Sequence, residues 1–355
     1  MAHALRLAAR GLGSTWPNPS VGCVIVKAGV VVGRGFTRPG GRPHAERIAL
    51  DQAGAAATGA TAYVTLEPCA HHGQTPPCAL ALIEAGVARV VTALTDPDPR
   101  VAGKGHALLR QAGIEVTEGS LATEARRLTQ GFLTRVTQGR PFTTLKLATT
   151  LDGRIATASG DSRWITGPAA RAHGHLLRLA HDAVLVGSGT ARADDPELTV
   201  RGFGQSRQPL RLVIDSRLSH APASKLGATA RTHPVWLMHG PDAPAAARKA
   251  WAATGARLID CPAEGAHLAL PETFRLLAAE GLTRILCEGG GTLAAHLIRH
   301  HLADDLALYT AGCLIGTDGT AALGPLGVTL LKEAPRLTRV ESQTLGPDSF
   351  TLWSF

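Results

Sequence analysis

Pro43-His44-Ala45-Glu46, Glu67-Pro68-Cys69 and Pro76-Pro77-Cys78 are stretches whose residue types could do chemistry together. One imidazole and two thiolates make three ligands of a tetrahedral zinc, and a catalytic zinc keeps its fourth position for water, whose pKa it lowers from about 16 toward about 7. A base must still take that proton. Glu46 stands two residues after His44 at the start of an expected helix, beside the metal without ligating it. It is the candidate to accept the water proton and to deliver protons to a ring nitrogen and to departing ammonia.

His-x-Glu followed by Pro-Cys-x-x-Cys is the signature of zinc deaminases. Here eight residues, from Ala70 to Pro77, separate the two cysteines. The bland alternative is a closed structural zinc completed by an extra histidine of that insertion. It would leave Glu46 without a task.

A second constellation lies further on. Glu288-Gly289-Gly290-Gly291-Thr292-Leu293 follows the run RILC at 284–287, and glycines before a helix N-terminus let backbone amides approach a pyrophosphate. Glu288, an acid ending a strand in a glycine turn, is a functional candidate. Gly187-Ser188-Gly189 lacks the third glycine of a dinucleotide-binding fingerprint and carries little weight alone. Without further information, Trp164 reads equally as core, and Asp194 and Asp195 before Pro196 equally as turn formers.

These residues need elements to hold them. A helix is expected over 2–13, strands over 21–26 and 31–36, a helix after His44, a strand over 61–66, a helix over 78–87 and a strand over 89–94. A second series of strands starts near 143 and continues at 183–187, 210–215, 234–239, 256–261, 284–290 and 306–316, with helical patterns between most of them. Gly139 and Pro141 punctuate the join, so the boundary is expected close to residue 141, in a chain of two α/β domains.

Composition agrees with two globular domains: 355 residues exceed one typical core, and 45% apolar with 18% charged residues is ordinary. No apolar run approaches the roughly 20 residues of a membrane span, and six scattered cysteines make no disulfide framework. A cytoplasmic protein is expected. The net charge of +8 is dispersed and aromatics make up 4%, which argues against a nucleic-acid partner and against the reading of a base-editing deaminase with an RNA-binding second half.

The string from Glu67 through Cys78, with Pro17-Asn18-Pro19-Ser20-Val21-Gly22 before it, resembles the bifunctional deaminase/reductase family of riboflavin biosynthesis. Gly187, Thr190, Asp194, Asp195, Pro196, Leu198, Thr199 and Arg201 carry the resemblance onward, so that it covers nearly the whole chain. It implies a cytidine-deaminase-like three-layer domain over 1–140 and a dihydrofolate-reductase-like α/β domain over 141–355. The implied cofactors are one zinc and NADPH. The implied substrate is the pathway's phosphoribosylated diaminopyrimidine, deaminated first and then reduced from ribosyl to ribityl.

Carried over residue by residue, the resemblance places Asn18 and His71 at the deaminase substrate. Thr190, Asp194, Ser216 and the run Gly290, Gly291, Thr292, Leu293, Ala294, Ala295 and His296 fall at NADPH, with Ala148 and Trp164 lining it. Ser162, Arg178, Leu198, Arg201 and Glu288 fall at the reductase substrate. Arg178 and Arg201 suit a ribose phosphate, which guanidinium forks grip bidentately. Thr37 departs from the family's usual His and Gln74 from its common Lys or Arg, which keeps a different aminopyrimidine substrate as the rival reading. A homo-oligomer is expected, and a purely regulatory binding protein would have no use for the complete His, Cys, Cys and Glu set.

Overall fold

The computed structural model describes residues 1–71, 76–204 and 207–355. Gln74 therefore lies outside the described residues. The chain divides into two compact units, Met1–Arg140 and Pro141–Phe355, each with its own sheet.

The first unit runs α1 (Ala2–Ala9), β1 (Gly22–Lys27), β2 (Val30–Phe36), α2 (Ala45–Ala53), β3 (Thr61–Val64), α3 (Cys78–Glu84), β4 (Arg89–Thr92), α4 (Lys104–Gln111), β5 (Glu115–Thr117) and α5 (Ala122–Gln138). Its sheet has the order β2-β1-β3-β4-β5, with β2, β1 and β3 antiparallel and β3, β4 and β5 parallel. Glycines decide how the helices sit. A Cβ on Gly22 would come within 1.9 Å of the Ala4 carbonyl of α1, and one on Gly33 within 2.1 Å of the Ala49 carbonyl of α2. Gly22 pairs with Phe36 and Cys23 with Gly35. Because paired residues share a face and neighbours alternate, α1 and α2 cover opposite faces, which makes three layers. The core between them is small-residue rich, including Ala45, Ala49, Ala62 and Ala79 with Ile25, Leu82 and Leu109.

The second unit runs β6 (Phe142–Thr150), β7 (Arg154–Ala156), α6 (Pro168–Leu179), β8 (Ala183–Gly187), α7 (Ser188–Asp194), β9 (Leu210–Ile214), α8 (Lys225–Ala228), β10 (Val235–His239), α9 (Ala245–Ala253), β11 (Arg257–Asp260), β12 (Ala263–Glu264), β13 (His267–Leu268), α10 (Leu270–Ala279), β14 (Arg284–Cys287), α11 (Gly291–Arg299), β15 (Asp305–Ala311), β16 (Thr320–Ala321), β17 (Thr338–Leu345) and β18 (Asp348–Ser354). Its main sheet has the order β11-β10-β9-β8-β14-β6-β15-β18-β17. It is parallel from β11 to β15, with β18 and β17 added antiparallel. The chain goes from β6 past one place to β8, outward to β11, and returns to insert β14 between β8 and β6. In open α/β sheets such a reversal leaves a crevice at the carboxyl ends of the strands. Glu288 follows β14 there, and Gly187 ends β8.

Among the described residues no helix is long and apolar enough to cross a membrane.

Candidate active sites

In the first unit His44 stands at the N-cap position of α2 without a side-chain capping bond, Cys69 lies in the loop after β3, and Cys78 begins α3. The ligating atoms of all three lie within 4.8 Å of one another. His44 Nδ1 is 3.2 Å from Cys78 Sγ and 3.7 Å from Cys69 Sγ. A tetrahedron with Zn–N of about 2.0 Å and Zn–S of about 2.3 Å has N···S edges of about 3.5 Å, so the donor set fits zinc in kind and in spacing.

Local structure prepares the thiolates. The Cys78 backbone N–H, at the start of α3, donates to Cys69 Sγ over 3.3 Å. Hydrogen bonding from the Cys78 thiol, with help from His44 and that amide, pulls Cys69 down to about 4, while its partner Cys78 is pushed up. Glu46 sits in the first turn of α2 and is 4% exposed. Burial pushes its carboxyl up, against the opposing pull of His44. A raised carboxyl beside a metal site is what a proton shuttle requires.

The surrounding residues divide by role. Asn18 Nδ2 donates to the Gly41 carbonyl, and a side chain on Gly41 would strike it. His71 Nδ1 is buried without a hydrogen-bond partner among the described residues. Thr37 is 2% exposed, and its hydroxyl accepts the Val21 amide at the edge of the sheet. Thr37 is thus a sheet-edge residue. Glu67, to which the sequence alone assigned no role, accepts backbone N–H groups from Asp96, Gly103, Gly105 and His106. It fastens the 96–106 loop to the turn that carries Cys69, and its only sequence signal is an acid placed before Pro68-Cys69.

The second unit holds two adjoining cavities of about 540 and about 710 Å³, within the range of ligand sites. Lys146, Ser162, Trp164, Thr190, Asp194 and Glu288 line both. The smaller adds Arg178, Leu198 and Arg201, and the larger adds Ala148, Ser216, Gly290, Gly291, Thr292, Leu293 and His296. Ala294 and Ala295 line neither and are buried on the inner side of α11, each 1% exposed. Trp164 is 68% exposed, with the Arg171 guanidinium over its ring, so it is not core.

The amides of Gly291, Thr292 and Leu293 open α11, where no intrahelical acceptor exists. A Cβ on Gly289 would strike Leu293 and one on Gly291 the Ala322 carbonyl, while Gly290 donates its N–H to Thr190 Oγ1. The backbone contact at Gly291 favours glycine there, and the open amides of the turn fit a pyrophosphate. Glu288 is held from two directions: Arg178 Nε and Nη2 donate to its two oxygens at 2.6 and 3.0 Å, and Lys146 Nζ lies 4.0 Å away. Burial pushes the Glu288 carboxyl up, but Arg178 and then Lys146 override it and hold it at about 2. Arg178 Nη1 donates to the Thr199 carbonyl as well, so each of its three nitrogens makes one bond within the protein, and the side chain still lines the cavity. Lys146, His175 and Tyr309 also line the smaller cavity, and sequence reasoning named none of them. For Lys146 a signal existed: it is the one charge in the otherwise uncharged strand β6.

The fold and sites therefore define a zinc-type base deaminase unit followed by a reductase unit with a nucleotide cleft. Residues 1–94 match the model of the cytidine and deoxycytidylate deaminase zinc-binding region, and residues 141–351 match that of the RibD C-terminal domain. The riboflavin biosynthesis protein RibD of Escherichia coli is 44% identical over 98% of this chain and 96% of its own length. RibD of Bacillus amyloliquefaciens is 39% identical over 98% of this chain and 93% of its own. The solved structure of Acinetobacter baumannii RibD superposes with a TM-score of 0.89 at 39% identity, covering 99% of this chain and 97% of that one. A Thermotoga maritima diaminohydroxyphosphoribosylaminopyrimidine deaminase and 5-amino-6-(5-phosphoribosylamino)uracil reductase superposes at 0.87 with 33% identity, covering 100% of this chain and 97% of its own. The chain belongs to the RibD family of bifunctional enzymes of riboflavin biosynthesis, which join a zinc-dependent aminopyrimidine deaminase to an NADPH-dependent reductase.

Proposed function

We propose that residues 1–140 deaminate a phosphoribosylated diaminopyrimidine and that residues 141–355 reduce the ribosyl group of the product. The observation that carries the first half is the His44, Cys69 and Cys78 cluster with buried Glu46 beside it. His44, Cys69 and Cys78 would hold zinc, which would supply an acidified water. Glu46 takes a proton from the attacking water and returns protons to the ring nitrogen and the leaving ammonia, a cycle suited to its raised pKa. His71, with its unpartnered buried nitrogen, and Asn18 hold the substrate.

In the second unit NADPH, when bound, would supply the hydride for reduction of the ribosyl group at C1 in its ring-opened imine form. Gly290, Gly291, Thr292, Leu293 and His296 receive its phosphate-bearing part, with Ser216, Thr190 and Asp194 along the same cavity. Ala148 and Trp164 line it, Trp164 where the two cavities join, and Ser162, Leu198 and Arg201 face the substrate. Glu288, ionised throughout the working range, accepts hydrogen bonds from ribosyl hydroxyls, and Arg178 keeps it in place. The enzyme is expected to act as a homo-oligomer, in keeping with β17, an edge strand exposed along nearly all its length. Purified protein given the diaminopyrimidine phosphate should release ammonia and then consume NADPH. Ammonia release without NADPH consumption would remove the reductase assignment, and no ammonia release would remove the deaminase assignment.

A further inference from the structure

The larger cavity of the second unit is lined differently at its two ends. Lys146, Trp164 and Glu288 belong to both cavities, so a hydride carried to that end reaches the substrate. After Glu288 the first turn of α11 offers its amides to the pyrophosphate. The adenosine of a dinucleotide held this way falls beyond that turn. His296 stands there, four residues after Thr292 on α11, together with Ile214, Ser216, His267, Leu268 and Leu270.

Separate elements meet at this end. Ser216 follows β9, His267 and Leu268 form β13, and His296 is on α11. A Cβ placed on Gly240, just after β10, would lie 3.4 Å from both the Ser216 carbonyl and Leu268 Cδ2, so those two walls are adjacent. The His267 and His296 rings have centroids 5.5 Å apart and planes at 77°. A flat aromatic guest laid on the face of one imidazole is met by the edge of the other, an arrangement that aromatic rings favour. Burial lowers the His296 pKa, and neighbouring His267, Arg299 and His300 lower it further, which keeps that ring neutral at neutral pH. Among the described residues lining the larger cavity, those of fixed charge are Lys146, Arg171, Asp194 and Glu288, and all four line the smaller cavity as well. The far end therefore has apolar and imidazole walls, which suit an uncharged base.

We propose that His267 is a cofactor-binding residue, which with His296 forms an aromatic corner for the adenine of NADPH. This rests on the reading that the larger cavity holds NADPH by its pyrophosphate at α11. His267 lies on the β12–β13 hairpin, a two-stranded sheet apart from the main one. Affinity for the cofactor is thus set in part by a hairpin that takes no part in the hydride transfer.

The test is calorimetric binding of NADPH to the full-length chain, comparing wild type with H267A, H267F and H267K, beside steady-state reduction of the deaminated phosphoribosylaminopyrimidine. H267A should raise the NADPH Kd about 5- to 100-fold, the worth of one base stacked on an aromatic side chain, and leave the pyrimidine KM unchanged. H267F, which offers a flat ring without charge or N–H, should restore most of the affinity, and H267K should not. His267 is exposed, so all three variants should melt at the wild-type temperature. An unchanged Kd in H267A, a loss that H267F does not repair, or recovery by H267K in place of H267F would each overturn the proposal, the last by making the contact one to phosphate. A rise in the pyrimidine KM equal to that in the NADPH Kd would overturn it too. A wild-type chain that binds no NADPH would overturn the cofactor reading itself, and so is distinguishable from failure of the His267 assignment.

Discussion

At the scale of single residues, the two acids at the sites are tuned in opposite directions by their neighbours. Burial pushes Glu46 up, whereas Arg178 and Lys146 hold Glu288 at about 2 despite burial. Glu46→Gln should keep about one zinc per chain while deamination falls by about 10²–10⁴-fold, because the ligand set survives and only proton transfer is removed. Metal analysis beside an ammonia assay reads both, and loss of zinc would make Glu46 structural. Arg178→Ala leaves a buried carboxylate without its partner and should destabilise the second unit by about 3 kcal/mol in denaturant unfolding. The double change Arg178→Ala with Glu288→Ala should recover part of that loss, since the orphaned charge goes too.

At the scale of elements, close packing and a buried histidine set the limits. Gly105, at the start of α4, lies where a Cβ would come within 2.0 Å of the Pro68 carbonyl, next to Cys69. Gly105→Ala should therefore shift the Cys69 turn and weaken zinc binding by about 10- to 100-fold, the usual effect of disturbing a metal's supporting shell, as a competitive chelator titration would measure. His181, just after α6, is 2% exposed and bonds through Nδ1 to the Leu177 carbonyl and through Nε2 to Thr144 Oγ1. Burial, then the charges of Arg284 and Arg207, lower its pKa to about 3. The folded state thus binds the proton less well than the unfolded chain, in which histidine titrates near about 6.5. Stability from this residue is full above that value and is lost as pH falls from about 6.5 toward about 3, by up to about 1.4 kcal/mol per pH unit. Melting of the second unit followed against pH should show this slope, and His181→Gln should flatten it.

At the scale of the whole molecule, each unit owns a sheet and a core. One core gathers Ile25, Leu82 and Leu109, and another gathers Val184, Val213, Leu237 and Trp251. Every described candidate zinc residue lies before position 79, and every candidate NADPH residue lies after position 147. A chain beginning near Arg140 should fold, bind NADPH and reduce the deaminated pyrimidine, and chelating zinc from the full chain should stop ammonia release while sparing reduction. Loss of both activities on chelation, each assayed with its own substrate, would show the two units to be interdependent.

Sequence by itself determined the features that are local along the chain. His44 and Glu46 share one helix turn, the strand series follow apolar runs, and the glycines after Glu288 announce a turn before a helix, so residue order carries their geometry directly. It missed the β17–β18 hairpin, because Thr338–Leu345 is exposed on both faces and shows no apolar alternation. It missed His175 and Tyr309 for a different reason: periodicity reports which side chains are buried and says nothing of what they meet. The Arg178–Glu288 pair spans 110 positions and exists because β14 inserts between β8 and β6. That strand order decided which arginine holds the acid. Sheet order is set by packing between segments far apart in the chain, and no short stretch of sequence contains it.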